Sequence, residues 1–159
     1  MVHKLVLNDK LFSTIDTMIA AAFEILTVGL PFCAFKIIAG LGLKQLWLTI
    51  WGLFDLAINC TNLLALILLR RRLFDACVLS FLVRLAKKPD RDVRSYWQDL
   101  GNAIDVGFSF AIVAFMLGGG FLPALEALQL KIWNISVILN VLGAGSFRLS
   151  ASIASLKHH

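Results

Sequence analysis

Histidine occurs only at His3, His158 and His159, so the body of this chain has no bis-histidine haem and no histidine-based zinc site. Cysteine is scarce as well. Cys33, Cys60 and Cys77 are isolated and fall at different depths of the apolar pattern, which excludes an internal disulfide and a shared metal cluster. No cofactor is expected. The chain also lacks a glycine-rich phosphate loop and any set of nucleophile, base and orienting group, so it is not expected to be an enzyme. Charge is the third scarcity: 16% of residues are charged against 59% apolar, and the mean hydropathy is +0.84. A soluble domain has no place to put that surface. The alternation with period two that a barrel strand needs is missing too. The fold class is therefore an all-α integral membrane protein.

Four apolar stretches are present, near Phe12 to Ile38, Leu46 to Leu69, Tyr96 to Leu117 and Leu128 to Leu149. Each meets or approaches the roughly 20 residues that span hydrocarbon as a helix. The segment after Met1 to Lys10 is too long for a signal peptide and has no small-residue cleavage site, so the first helix is expected to stay in the mature chain. A single membrane domain is predicted over residues 1–159. Its first helical hairpin covers 11–72, a basic connector covers 73–95, and the second hairpin covers 96–157.

Basic residues are distributed unevenly about these spans. Arg70, Arg71, Arg72, Arg84, Lys87, Lys88, Arg91 and Arg94 lie between the second and third, and Lys4, Lys10, Arg148 and Lys157 lie on the same side. Only Lys36, Lys44 and Lys131 fall on the other. The positive-inside rule then puts both termini and the central connector in the cytoplasm. The three arginines are expected to stop the second helix at the inner surface. Within the connector, Leu73, Phe74, Cys77, Val78, Phe81, Leu82 and Leu85 recur at helical spacing opposite Ser80, Arg84, Lys87 and Lys88. That pattern fits an amphipathic helix lying on anionic inner-leaflet lipid, or an extension of the second helix packed on a neighbouring subunit. Beside a membrane span such a cluster signals topology, and nucleic acid is not expected as a partner.

An internal repeat at a separation of 89 residues aligns the first and third spans. Ile15 and Asp16 meet Ile104 and Asp105, Ala22 meets Ala111, and Gly29 meets Gly118. With a gap, Ile50 and Trp51 meet Ile132 and Trp133, and Asn59 meets Asn140. Two hairpins of the same course would be parallel repeats, an arrangement found among transporters.

Every span also carries a polar stripe. Trp51, Asp55, Asn59 and Asn62 follow steps of four, four and three on the second; Asp16, Glu24 and Thr27 share a face of the first; Asn102, Asp105 and Ser109 mark the third; Ser136, Asn140 and Gly143 mark the fourth. With Lys36 assigned to the far surface, no base remains within hydrocarbon depth to pair with Glu24 or Asp55. An ionised carboxylate there costs at least about 2.5 to 3.5 kcal/mol, so the acid is expected to be neutral, hydrated or bound to a cation. Trp47 and Trp51 read as packing aromatics.

These residues point to transport of a proton or of a monovalent or divalent cation, through a homo-oligomeric channel or a small proton- or cation-coupled transporter. Glu24, Asp55, Asn59, Asn62, Asp16, Asp105 and Asn140 are the candidate path. The alternative is a scaffold or assembly subunit in which the same stripes act as glue between helices.

Overall fold

The computed structural model describes residues 15–74, 77, 78, 82 and 91–156. Among them the chain is helical, without strands, and four helices are long and apolar enough to cross a membrane: Ile15–Gly42, Leu46–Leu69, Asp99–Gly118 and Ala127–Ser146. We call them α1 (Ile15–Gly42), α2 (Leu46–Leu69), α3 (Arg91–Gly118) and α4 (Ala127–Leu156), since the last two continue beyond their apolar windows. The protein is a membrane protein with transmembrane helices. The bundle has an arginine end, where α2 finishes at Leu69, and a loop end, where α1 and α3 finish at Gly42 and Gly118.

α1 is the central helix, packing on α2, α3 and α4, while α2 and α3 make little direct contact. Its position explains its burial, with Pro31, Phe32, Cys33, Phe35, Lys36, Ile38, Ala39 and Gly40 all inaccessible. Small residues let α2 come close. A Cβ on Gly40 would lie 2.6 Å from the backbone nitrogen of Thr49, and one on Gly52 would lie 2.9 Å from that of Ile37. Those are backbone atoms, which cannot rotate away. Gly40→Val is therefore expected to push the helices apart at the loop end and to cost about 1–3 kcal/mol. The check is the melting temperature in detergent beside Gly107→Ala, whose added Cβ meets nothing within 4 Å and which should be neutral or stabilising.

α1 is not a uniform α-helix. Residues Ile25–Gly29 form a π-helical turn, closed by the Leu30 N–H donating to the Ile25 carbonyl. Its cause lies just downstream. Pro31 has no N–H to give to the Thr27 carbonyl, and its ring would clash with that oxygen in a regular helix, which a widened turn relieves. One residue is thereby added to a turn, so everything after it is rotated by about 100° relative to everything before it.

The loop half of the bundle is apolar. Phe32, Phe35, Ile38 and Ala39 of α1 pack with Leu48, Ile112, Met116, Leu125 and Trp133 in one buried cluster. Phe35 and Trp133 lie with ring centroids 4.8 Å apart. Leu43, Phe121 and Leu122 close over the cluster from the connections, and a short 3₁₀ turn, Leu122–Ala124, leads into α4.

After α2 the chain does not leave the bundle. Arg70 takes a left-handed conformation, φ 55°, which reverses the direction of the backbone. Residues 73, 74 and 78 then run back along α2. The Asn62 side chain accepts from the backbone N–H groups of Leu73 and Phe74, at 3.1 and 2.9 Å, and donates to the Phe74 carbonyl. The Val78 N–H reaches Asp55, 2.7 Å away. Asp55 lies fourteen positions before Leu69, so this segment re-enters by roughly 20 Å. It fills the wedge that α2 and α3 leave between them. Of the amphipathic helix expected of the connector, Val78 and Leu82 are helical. Arg84, Lys87 and Lys88 lie outside the described residues, as do Ser80, Phe81 and Leu85.

Candidate functional site

Asp55, Asn59 and Asn62 share one face of α2 because steps of four and three return a helix to nearly the same angle. All three are buried, at 1%, 4% and 1% exposure. Asn59 donates to the Asp55 carbonyl at 2.9 Å, and its oxygen occupies the space that a Cβ on Gly29 would need. The face therefore turns inward, as the stripe predicted, onto α1 and the re-entrant segment.

The expectation that no base reaches these acids is corrected by Lys36. Its Nζ donates to Asp55 Oδ2 at 2.6 Å and to Asp105 Oδ1 at 2.5 Å, and the residue is fully buried. The Trp51 ring lies beneath the same ammonium, 5.1 Å from its centroid, and stacks on Phe108 of α3. Trp51 is thus more than a packing aromatic, because its π face joins the cation's surroundings. Two physical reasons account for the misplacement of Lys36. α1 continues to Gly42, four residues beyond the predicted end at Ile38, which moves Lys36 from two residues before the helix end to six. Side chains also tilt toward the N-terminus of their helix, so a lysine near the C-terminal end of α1 points deeper into the bundle and not out to the surface.

Glu24 is paired as well. Arg72 Nη2 lies 2.5 Å from Glu24 Oε2 and also donates to the Ala21 carbonyl at 3.2 Å. Both side chains are partly exposed, the arginine 32% and the glutamate 46%. Of the three arginines, Arg70 and Arg71 stay exposed at the end of α2, as a stop signal would, whereas Arg72 turns back on α1.

Glu24 lines a cavity whose floor carboxylates, Asp55 and Asp105, are the ones Lys36 binds, and the π turn brings the two residues toward one side of α1. In a regular helix the step of twelve residues from one to the other would set their directions about 120° apart, and the extra residue in the turn reduces this to about 20°. The cavity measures about 100 Å³. Its mouth is the Glu24–Arg72 pair, its walls include Asn59, Asn62, Asn102 and Cys77, and its floor holds Asp55 and Asp105. Beyond that floor lies the apolar cluster of the loop half. The cavity therefore ends against that cluster and does not run through the bundle. Among the described residues, no group of three or more metal-ligating side chains is assembled.

Two candidates from the sequence fall elsewhere. Asp16 is exposed and Asn140 half-buried, and neither lines the cavity. The positions that the repeat equates thus have unlike settings: Asp105 is buried against a lysine while Asp16 is not, and Asn59 lines the cavity while Asn140 does not. Lys36, Arg72 and Asn102 are the lining or floor-binding groups that the stripes underrated. The only signal for Lys36 was Pro31, five residues upstream, which marks the break in register.

No family model matches the chain, and no curated protein or solved structure is detectably similar to it, so its function is argued from this site alone.

Proposed function

We propose that the protein carries protons or small cations across the membrane, with Lys36, Asp55 and Asp105 as the binding group. The observation behind this reading is a charge imbalance: one ammonium faces two carboxylates at the closed end of the cavity. Ionised together they sum to −1. A surplus charge at this depth costs at least about 2.5 to 3.5 kcal/mol, so the site gains by taking up a proton or a cation. The Glu24–Arg72 pair at the mouth is neutral in sum and adds no counter-charge. A small cation or a few waters fit the cavity; a large organic substrate does not.

The apolar cluster on the far side favours a coupled transporter over a permanently open pore. Phe32, Phe35, Ile38 and Trp133 would have to part before anything bound at the floor could leave by the loop end. Four spans give a thin bundle, and we read the working form as a homo-oligomer. By the asymmetry of its basic residues, both termini and the arginine end face the cytoplasm, where Arg70 and Arg71 meet anionic lipid.

The test is flux in proteoliposomes that contain a pH dye and either K⁺ or Na⁺, with oligomeric state followed in parallel. The wild-type protein should move H⁺ or a cation well above empty vesicles. Asp55→Asn removes the surplus charge and should bring flux down to that background. An absence of H⁺, Na⁺, K⁺ and divalent-ion flux across pH and voltage would sink the proposal. The lysine and its two acids would then be a staple between three helices, and the protein an assembly subunit.

A further inference from the structure

The two carboxylates of the floor are not equivalent. Asp55 has both oxygens engaged: Oδ2 by the Lys36 ammonium and Oδ1 by the Val78 N–H of the re-entrant segment. Its side chain is 2% exposed. Asp105 has only Oδ1 engaged, again by Lys36, and among the described residues nothing else bonds its carboxyl. At 9% exposure it also has the more open side chain, and it faces the cavity. A carboxylate whose two oxygens both accept strong bonds has little to offer an incoming proton, while an oxygen left without a hydrogen bond beside the cavity accepts one directly.

We infer that Asp105 is the carboxyl that takes up and releases the transported proton, and that Asp55 remains the ionised counter-ion of Lys36 throughout. The inference rests on the transport reading above. In the loading step a hydronium ion in the cavity gives its proton to Asp105 Oδ2, forming a carboxylic acid and leaving water. The floor then holds one ammonium and one carboxylate, and its net charge falls from −1 to zero. Release reverses the step. The charged and titratable groups around Asp105 are Lys36 and Glu24 from α1, Asp55 from α2, and Arg72 with Cys77 from the re-entrant segment. On α3 itself Asp99 is exposed, nearer the arginine end. No titratable side chain of α4 lines the cavity among the described residues. Val78 gives Asp55 a second task, since an Asp55 that stays ionised keeps the re-entrant segment latched while Asp105 titrates.

The experiment combines proton flux with infrared titration of the reconstituted full chain. A wild-type sample taken through its active pH range should show the carbonyl band of one protonated carboxyl rising as pH falls. That band should shift in frequency in Asp105→Glu and stay in place in Asp55→Glu, because it belongs to the residue that bears the proton. Asp105→Asn, which mimics the neutral acid and leaves Lys36 balanced by Asp55, should keep its oligomeric state, lose the band, and reduce proton flux to the level of empty vesicles. A band that moves with Asp55→Glu, or undiminished flux in Asp105→Asn, would overturn the assignment and leave transport standing. A wild-type protein that moves no protons would overturn both.

Discussion

Lys36→Met is expected to destabilise the protein by about 3–5 kcal/mol, the cost of leaving a buried charge without its partner. Methionine has nearly the length of lysine and fills the same space, so the loss measures charge and not packing. Asp55 and Asp105 would then face each other across a low-dielectric floor with no cation between them. At least one must become protonated, and the helices lose their central ionic link, leaving α2 and α3 joined by the packing of Trp47 and Trp51 on Phe108 and by the re-entrant segment. The melting temperature in detergent should fall sharply. Adding Asp55→Asn and Asp105→Asn to Lys36→Met removes the uncompensated charge and should recover much of that fall. A single variant as stable as the wild type would show that the ammonium does not hold these helices together.

The second large effect concerns Asn62. One amide side chain, itself buried, serves two backbone N–H groups and one carbonyl of the re-entrant segment. Non-helical backbone survives at membrane depth only when protein or a water-filled cavity satisfies it. Asn62→Leu leaves those three groups without their partner, each costing about 1–3 kcal/mol if it stays buried. The segment should avoid that cost by withdrawing toward the arginine end. Cys77 reports the movement, because it is buried beside Gly101 and Asn102 in the wild type. In a background with Cys33 and Cys60 replaced, maleimide labelling of Cys77 should rise by about 10- to 100-fold, following the larger open population. Labelling as slow as in the wild type would mean that Asn62 is not what holds the segment in.

Both variants concern polar residues whose presence in an apolar run the sequence made conspicuous but did not explain. Asn62 reads from sequence as interhelical glue or a path-lining amide, and its partner proves to be the backbone eleven and twelve residues further on. Asp55 reads as an acid without a base. Its base is nineteen residues upstream, on the preceding helix, at a position that charge counting assigns to the opposite surface. Glu24 also reads as unpaired, and Arg72 reads as a stop signal, yet the two meet because the chain turns at Arg70.

The sequence by itself determined the four spans, the all-α class and the inward face of α2. These follow from local periodicity, in which every residue is related to its neighbours by a fixed rotation of about 100°. Tertiary structure alone decided the rest. The wide turn before Pro31 resets that rotation in mid-helix and turns Glu24 and Lys36 toward one side of α1. The tilt of a lysine side chain toward its helix N-terminus converts a surface charge into a buried one. A left-handed Arg70 turns the chain so that residues 73, 74 and 78 bond to α2 and Cys77 meets α3. Each of these depends on a break in regular geometry or on a contact between distant residues, and periodicity carries information about neither.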